Sequence, residues 1–202
     1  MKSVEHVPEY IRSLIPYEPG KPIEEVEREY GIANSVKLAS NENPLGPSPK
    51  AVAALRAKLD QLHLYPDGDC FYLKAGLAKK LGVAPETLIF GNGSNEIIEL
   101  AARTFMRAGD EAVMAEQAFV VYQLIVQAVG GKSKQVPLRD YTHDLDAIAA
   151  AISPQTRLVF LANPNNPTGT IFRREAWERF LAKVSPDVLL IVDEAYFEYV
   201  ED

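Results

Sequence analysis

Three segments of this 202-residue chain place polar side chains where apolar runs stop. In F-G-N-G-S-N-E, an apolar run T-L-I-F gives way to Gly91 and Gly93, and a helical pattern opens at Ser94. The N–H groups of Gly93, Ser94 and Asn95 would face outward at the positive end of that helix, an arrangement that binds anions and above all phosphate. It lacks the G-x-G-x-x-G and Gly-Lys-Ser/Thr spacings, and a capped strand-to-helix turn without ligand fits it equally well. In L-V-F-L-A-N-P-N-N-P-T-G, Asn166 stands between Asn165 and Pro167, so its carboxamide can donate to a fixed oxygen; a stiff Asx-type turn explains the same residues. In L-L-I-V-D-E-A-Y, Asp193 ends an apolar strand. A carboxylate there needs a cation or several donors, because burying it alone is costly. Tyr196 can bring a hydroxyl near it; helix capping or a structural ion pair are the alternatives for Asp193.

The elements that would position these residues read as an α/β domain with a mainly parallel sheet. Strands are expected at Thr87–Phe90, Glu111–Ala115, Ser133–Pro137, Arg157–Ala162 and Val188–Asp193. Helices are expected at Ser94–Arg107, Phe119–Val129, Leu145–Ile152 and Arg174–Val184. Upstream, Ser48 and Pro49 start a helix A-V-A-A-L-R-A-K-L, and Phe71–Leu81 forms another that Gly82 ends. Residues 1–47 read as an arm carrying part of a small domain, with a short helical stretch around Val7–Leu14 and prolines at 16, 19 and 22 that forbid continuous helix; residues 48–202 read as an incomplete large domain. Ligands of open parallel sheets gather at the carboxyl ends of the strands, where all three polar segments fall. Together they offer an anion cradle, a donor for a phenolate and a carboxylate for a ring nitrogen, which are the polar handles of pyridoxal 5'-phosphate (PLP). Phe119 supplies a candidate stacking face, with Tyr122 beside it.

Composition narrows the classes. The hydrophobic content of 47% suffices for a sizeable core, and a net charge of -7 argues against a nucleic-acid footprint. The lone cysteine, Cys70, reads as a small packing residue and excludes an intrachain disulfide, in keeping with a reducing cytosol. His6, His63 and His143 have no metal-ligand spacing, so no metal is expected. The N-terminus carries no secretory h-region and no run approaches a membrane span; a cytoplasmic location is expected.

G-N-G-S-N-E, N-P-N-N-P-T-G and V-D-E-A-Y, in this order, resemble fold-type I PLP-dependent aminotransferases. The segments I-P-Y-E-P-G, K-L-A-S-N-E-N-P-L-G-P-S-P and L-Y-P-D-G resemble, within them, the histidinol-phosphate aminotransferases, and the likeness runs from about Tyr10 to Asp202. The resemblance implies that Gly93, Ser94 and Asn95 hold the cofactor's phosphate and that Asn166 and Tyr196 bond its phenolic oxygen. It implies that Asp193 pairs with the pyridinium and that Phe119 stacks, in place of the family's frequent tyrosine. Tyr65 would reach the phosphate of the neighbouring subunit's cofactor, which implies a homodimer, and Tyr17 and Asn43 would meet substrate. The implied activity exchanges an amino group between glutamate and imidazole-acetol phosphate, giving L-histidinol phosphate in histidine biosynthesis. Threonine-phosphate decarboxylation, another aminotransfer, a non-catalytic PLP-binding module and a phosphosugar-binding α/β protein remain open. The family's Schiff-base lysine lies in an S-x-S-K context after D-E-A-Y, and two of its arginines lie further on; the chain therefore reads as the N-terminal part of such an enzyme.

Overall fold

The computed structural model describes residues 5–201. In chain order the helices are α1 (Glu9–Arg12), α2 (Ile23–Tyr30), α3 (Pro49–Arg56), α4 (Phe71–Leu81), α5 (Gly93–Phe105), α6 (Val121–Ala128), α7 (Leu145–Ala151) and α8 (Arg174–Leu181). The strands are β1 (Glu111–Ala115), β2 (Lys132–Val136), β3 (Thr156–Ala162) and β4 (Leu189–Asp193). The chain divides into two compact units: one takes the described residues up to Tyr17 and from Gly91 on, the other Glu18–Phe90.

The first unit is built on a parallel four-stranded sheet in the order β2-β1-β3-β4. Alternate residues of the central strands feed two separate cores. Ala112 and Met114 of β1 and Leu158 and Phe160 of β3 pack with Ile98, Ala102 and Met106 from α5 and its end, and with Tyr122 and Val126 of α6. Val113, Val159 and Leu161 face the other way, packing with Val136 of β2, Leu145 and Ile148 of α7 and Phe180 of α8. Helices therefore cover both faces, and this is why β1 and β3 read as unbroken apolar runs rather than as alternating ones. Consecutive β–α units with parallel pairing deliver every strand's carboxyl end to one edge of the sheet. The register Ala162↔Asp193 sets the ends of β3 and β4 side by side there.

The second unit carries α2 to α4 and short 3-10 turns at Leu59–Gln61 and Pro85–Thr87. Helix α4 ends at Gly82, whose φ of 68° is the left-handed closure that the glycine was expected to supply. Ala78 is its one buried hydrophobic residue among the described residues, whereas Leu38, Leu45, Tyr65 and Tyr72 are largely exposed.

Several local expectations change. Ser48 precedes α3 at its N-cap, yet its side chain makes no cap hydrogen bond; Pro49 in the first turn is the feature that marks the start. Thr87–Phe90 is not a strand: Thr87 belongs to a 3-10 turn, and Leu88, although extended at φ -102° and ψ 128°, has no ladder partner. Extended backbone becomes a strand only by pairing, and the described residues of that unit contain no strand to pair with. Helix α4 spans Phe71–Leu81 as expected, and Cys70 stands at its N-cap with a positive φ of 50°. No described helix is long and apolar enough to cross a membrane.

Candidate active site

A cleft opens at the carboxyl edge of the sheet. Ser94, Phe119, Asn166, Asp193 and Tyr196 line it, with Ala162, Pro164 and Ala195. Five residues named from the sequence, drawn from four separate segments, are thus brought together.

Asp193 is the last residue of β4. Its Oδ2 accepts a 2.6 Å hydrogen bond from the hydroxyl of Tyr122, and its Oδ1 accepts from the backbone N–H of Ala195 at 3.1 Å. Tyr122 is wholly buried, stacked on Phe160 at 4.9 Å and edge-on to Phe119 at 5.6 Å. Burial, and then the bond to Asp193, push its phenol far above the ordinary tyrosine range, so it remains a neutral donor. The residues 71 apart in sequence that make this bond come from α6 and β4, and no local spacing announces it.

The three asparagines after β3 divide the labour. Asn163 clips the loop across itself: its Oδ1 accepts from Phe172 N at 3.0 Å, its Nδ2 donates to Phe172 O at 3.3 Å, and its N–H donates to Asp193 O at 2.9 Å. Asn165 is buried, and its Nδ2 donates to Gln117 O at 3.0 Å and to Thr168 Oγ1 at 2.8 Å. Asn166 is the one at the cleft. Both Asn163-Pro164 and Asn166-Pro167 are cis.

The turn before α5 is tighter than its sequence suggests. Gly93 has φ 74°, and its N–H donates to Gly91 O at 2.9 Å, so it does not face outward as expected. A Cβ on Gly91 would stand 2.9 Å from Glu96 Oε2 and 3.0 Å from Ile97 Cδ1, so any side chain there would have to displace the ends of these two. Glu96 accepts the N–H of Asn92 at 2.6 Å, a capping arrangement that holds the turn. Ser94 and Asn95 keep first-turn N–H groups that the helix itself cannot satisfy, and Ser94 is the member that lines the cleft.

His143 packs beneath this edge. Its Nε2–H donates to Ala162 O at 3.0 Å, and burial pushes the imidazole below its ordinary value, opposed by that carbonyl and by Asn165. The neutral ring is therefore part of the fold. A depressed histidine pKa means that the unfolded chain takes up the proton first, so this contribution is present above the ordinary imidazole range and is lost as pH falls through it. Urea unfolding at successive pH values should show a His143→Gln variant losing stability between pH 7 and pH 5 more gently than wild type, by up to about 1.4 kcal/mol per pH unit. Parallel curves would remove His143 from the linkage.

Tyr17, Asn43 and Tyr65 are not among the residues lining the cleft. Tyr65 is fully exposed in the second unit, and Asn43 there turns its Oδ1 onto Leu45 N at 2.9 Å, an Asx turn. Tyr17 is exposed at the end of the first unit's N-terminal segment. Among the described residues no cluster of His, Cys, Asp or Glu could hold a metal ion.

A parallel sheet with both faces covered, and a carboxylate, a carboxamide and an aromatic ring at its carboxyl edge, defines an α/β ligand-binding domain, and the chain belongs to the aminotransferase class I and II family, whose model matches residues 33–202. Among its relatives, a histidinol-phosphate aminotransferase of Moorella thermoacetica is 56% identical over 192 residues, covering 95% of this chain and 50% of the relative. Another, of Methylobacillus flagellatus, is 54% identical over 195 residues, covering 96% and 53%. Among solved structures, the histidinol-phosphate aminotransferase of Sinorhizobium meliloti in complex with pyridoxal-5'-phosphate superposes with a TM-score of 0.86 at 30% identity, covering 96% of this chain and 52% of that one. The chain spans about half the length of the curated relatives it matches.

Proposed function

We propose that this chain forms the cofactor-binding part of a PLP-dependent aminotransferase that exchanges an amino group between glutamate and imidazole-acetol phosphate, yielding L-histidinol phosphate. The observation that carries the reading is the cleft itself: the Asp193 carboxylate, the Asn166 carboxamide, the rings of Phe119 and Tyr196 and the helix N-terminus at Ser94 converge at the sheet edge. The donor set fits PLP. Asp193 already holds one donor on each oxygen and retains acceptor capacity for a ring N–H, since a carboxylate oxygen accepts more than one bond. Asn166 and Tyr196 would bond the phenolic oxygen, Phe119 would lie against the ring, and Ser94 with the Asn95 N–H would hold the phosphate, Gly93 providing the turn rather than a donor. The names of the relatives support the substrate pair.

When bound, PLP supplies an electron sink for charge developing at the substrate's α-carbon. The residues of this chain orient and polarise. Asp193 would favour a protonated ring nitrogen, Asn166 and Tyr196 would hold the phenolic oxygen, and Ser94 would anchor the phosphate at the positive end of the helix dipole. The Schiff-base lysine of the S-x-S-K context would come from sequence outside this chain. Tyr65 would serve the neighbouring subunit's site, and Tyr17 and Asn43 would meet substrate; the exposed apolar residues Leu38, Leu45 and Tyr72 support a homodimer covering the second unit. We place the protein in the cytoplasm, from its single cysteine.

The test is expression of the full open reading frame, followed by PLP uptake and amino transfer from L-histidinol phosphate to 2-oxoglutarate. The expected result is a visible cofactor band and faster turnover with this substrate than with aromatic or aliphatic amino acids. A frame that stops at Asp202, or a folded product that takes up no PLP, overturns the reading.

A further inference from the structure

A phenol in the middle of an apolar cluster needs a reason. Ile98, Ala102, Met114, Val126 and Phe160 surround the space that Tyr122 fills, and phenylalanine would pack there equally well. A buried hydroxyl costs free energy unless it is bonded, and the bond recorded for this one is to Asp193. The ring has no freedom to turn elsewhere, because Phe160 stacks on it at 8° and Phe119 meets it edge-on at 89°. At 2.6 Å the contact lies in the short range of hydroxyl-to-carboxylate bonds.

We propose that Tyr122 is a positioning residue for Asp193: its hydroxyl fixes the plane of the carboxylate and keeps the proton shared with a cofactor's pyridine nitrogen on the ring. The role rests on the PLP reading above. With Tyr122 on Oδ2 and the Ala195 N–H on Oδ1, the carboxylate cannot rotate about its Cβ–Cγ bond without losing a donor. The plane is thus set before any ligand arrives, which removes a reorganisation cost from binding. A donated hydrogen bond also disperses the carboxylate's charge and weakens its pull on a proton held between it and a neighbouring nitrogen. The phenol, kept neutral by its burial, holds its proton and remains a donor. Phe119, against the same phenol, ties the stacking face to the same unit.

The experiment uses the full-length protein reconstituted with PLP labelled with 15N in the ring, and reads the nitrogen's chemical shift. Wild type should give a pyridinium shift. Tyr122→Phe keeps both ring contacts and should move the shift toward unprotonated pyridine, with kcat down roughly ten- to hundredfold, the scale of one hydrogen bond to a charged group, and KM within about twofold. Incorporation of 3-fluorotyrosine at position 122, a stronger donor of almost the same shape, should move the shift the opposite way, and it serves equally if the phenylalanine variant fails to fold. A nitrogen shift unchanged from wild type in a folded, PLP-loaded variant overturns the proposal, whatever happens to kcat. A wild-type protein that takes up no PLP would instead defeat the cofactor reading itself.

Discussion

Asp193→Asn in the full-length protein should lower turnover about 10²- to 10³-fold, the scale of removing one preorganised electrostatic partner, while unfolding free energy changes by less than about 1 kcal/mol. The amide keeps one oxygen, which can accept from the buried hydroxyl of Tyr122; the charge is lost, and the exposed Ala195 N–H gives up its acceptor and turns to water. Asp193→Ala is the less informative change. It strands the buried hydroxyl of Tyr122, which costs about 1–3 kcal/mol of stability in its own right, and its kinetic loss would mix two causes. Steady-state rates alongside urea unfolding of both variants separate them. If Asp193→Asn turns over like wild type, the carboxylate's charge has no part in the reaction. If it unfolds as easily as Asp193→Ala, the charge rather than the hydrogen-bond acceptor is what Tyr122 requires.

How legible these features are in the sequence depends on how far apart the cooperating residues lie. The apolar runs of β1 and β3 announce themselves because both faces are covered, and helix α4 runs from Phe71 to Leu81 as its pattern and Gly82 predict. Asp193, Asn166, Ser94, Phe119 and Tyr196 are visible as candidates because each follows or opens an element at the sheet's carboxyl edge. The bond from Tyr122 to Asp193 is not visible, because it joins a helix and a strand end 71 residues apart in sequence. One signal is present: Tyr122 shares a helical face with the apolar Ile125 and Val126, and a tyrosine on such a face asks for a buried acceptor. Thr87–Phe90 fails for the converse reason. Its residues favour extension, but a strand is a property of pairs, and its apolar pattern says nothing about where a partner is. Among Asn163, Asn165 and Asn166, composition cannot separate clip, anchor and ligand, since all three follow β3 within four residues.

That separation yields the second large effect. Asn165→Ala should destabilise the full-length protein by roughly 1–3 kcal/mol, because it leaves Gln117 O and Thr168 Oγ1 without this donor in a part-buried site. The backbone bonds Asn165 N to Thr170 O and Gly169 N to Asn165 O remain, so the loop should persist in a looser form. Asn166→Ala, one residue on, should leave stability within about 0.5 kcal/mol and weaken PLP binding about tenfold, as expected of one lost hydrogen bond to a charged oxygen. Neighbouring asparagines would then divide cleanly, one read by urea unfolding and the other by PLP titration. The logic of the loop requires this asymmetry. Asn165 reaches inward to the β1–α6 connection at Gln117, two residues before Phe119, so the same side chain that fixes the loop also fixes the segment carrying the stacking ring. An Asn165→Ala protein should therefore lose PLP affinity as well as stability, whereas Asn166→Ala loses affinity alone. Equal stability losses in the two variants would mean that Asn166 serves the fold, and the carboxamide at the cleft would have to be reassigned.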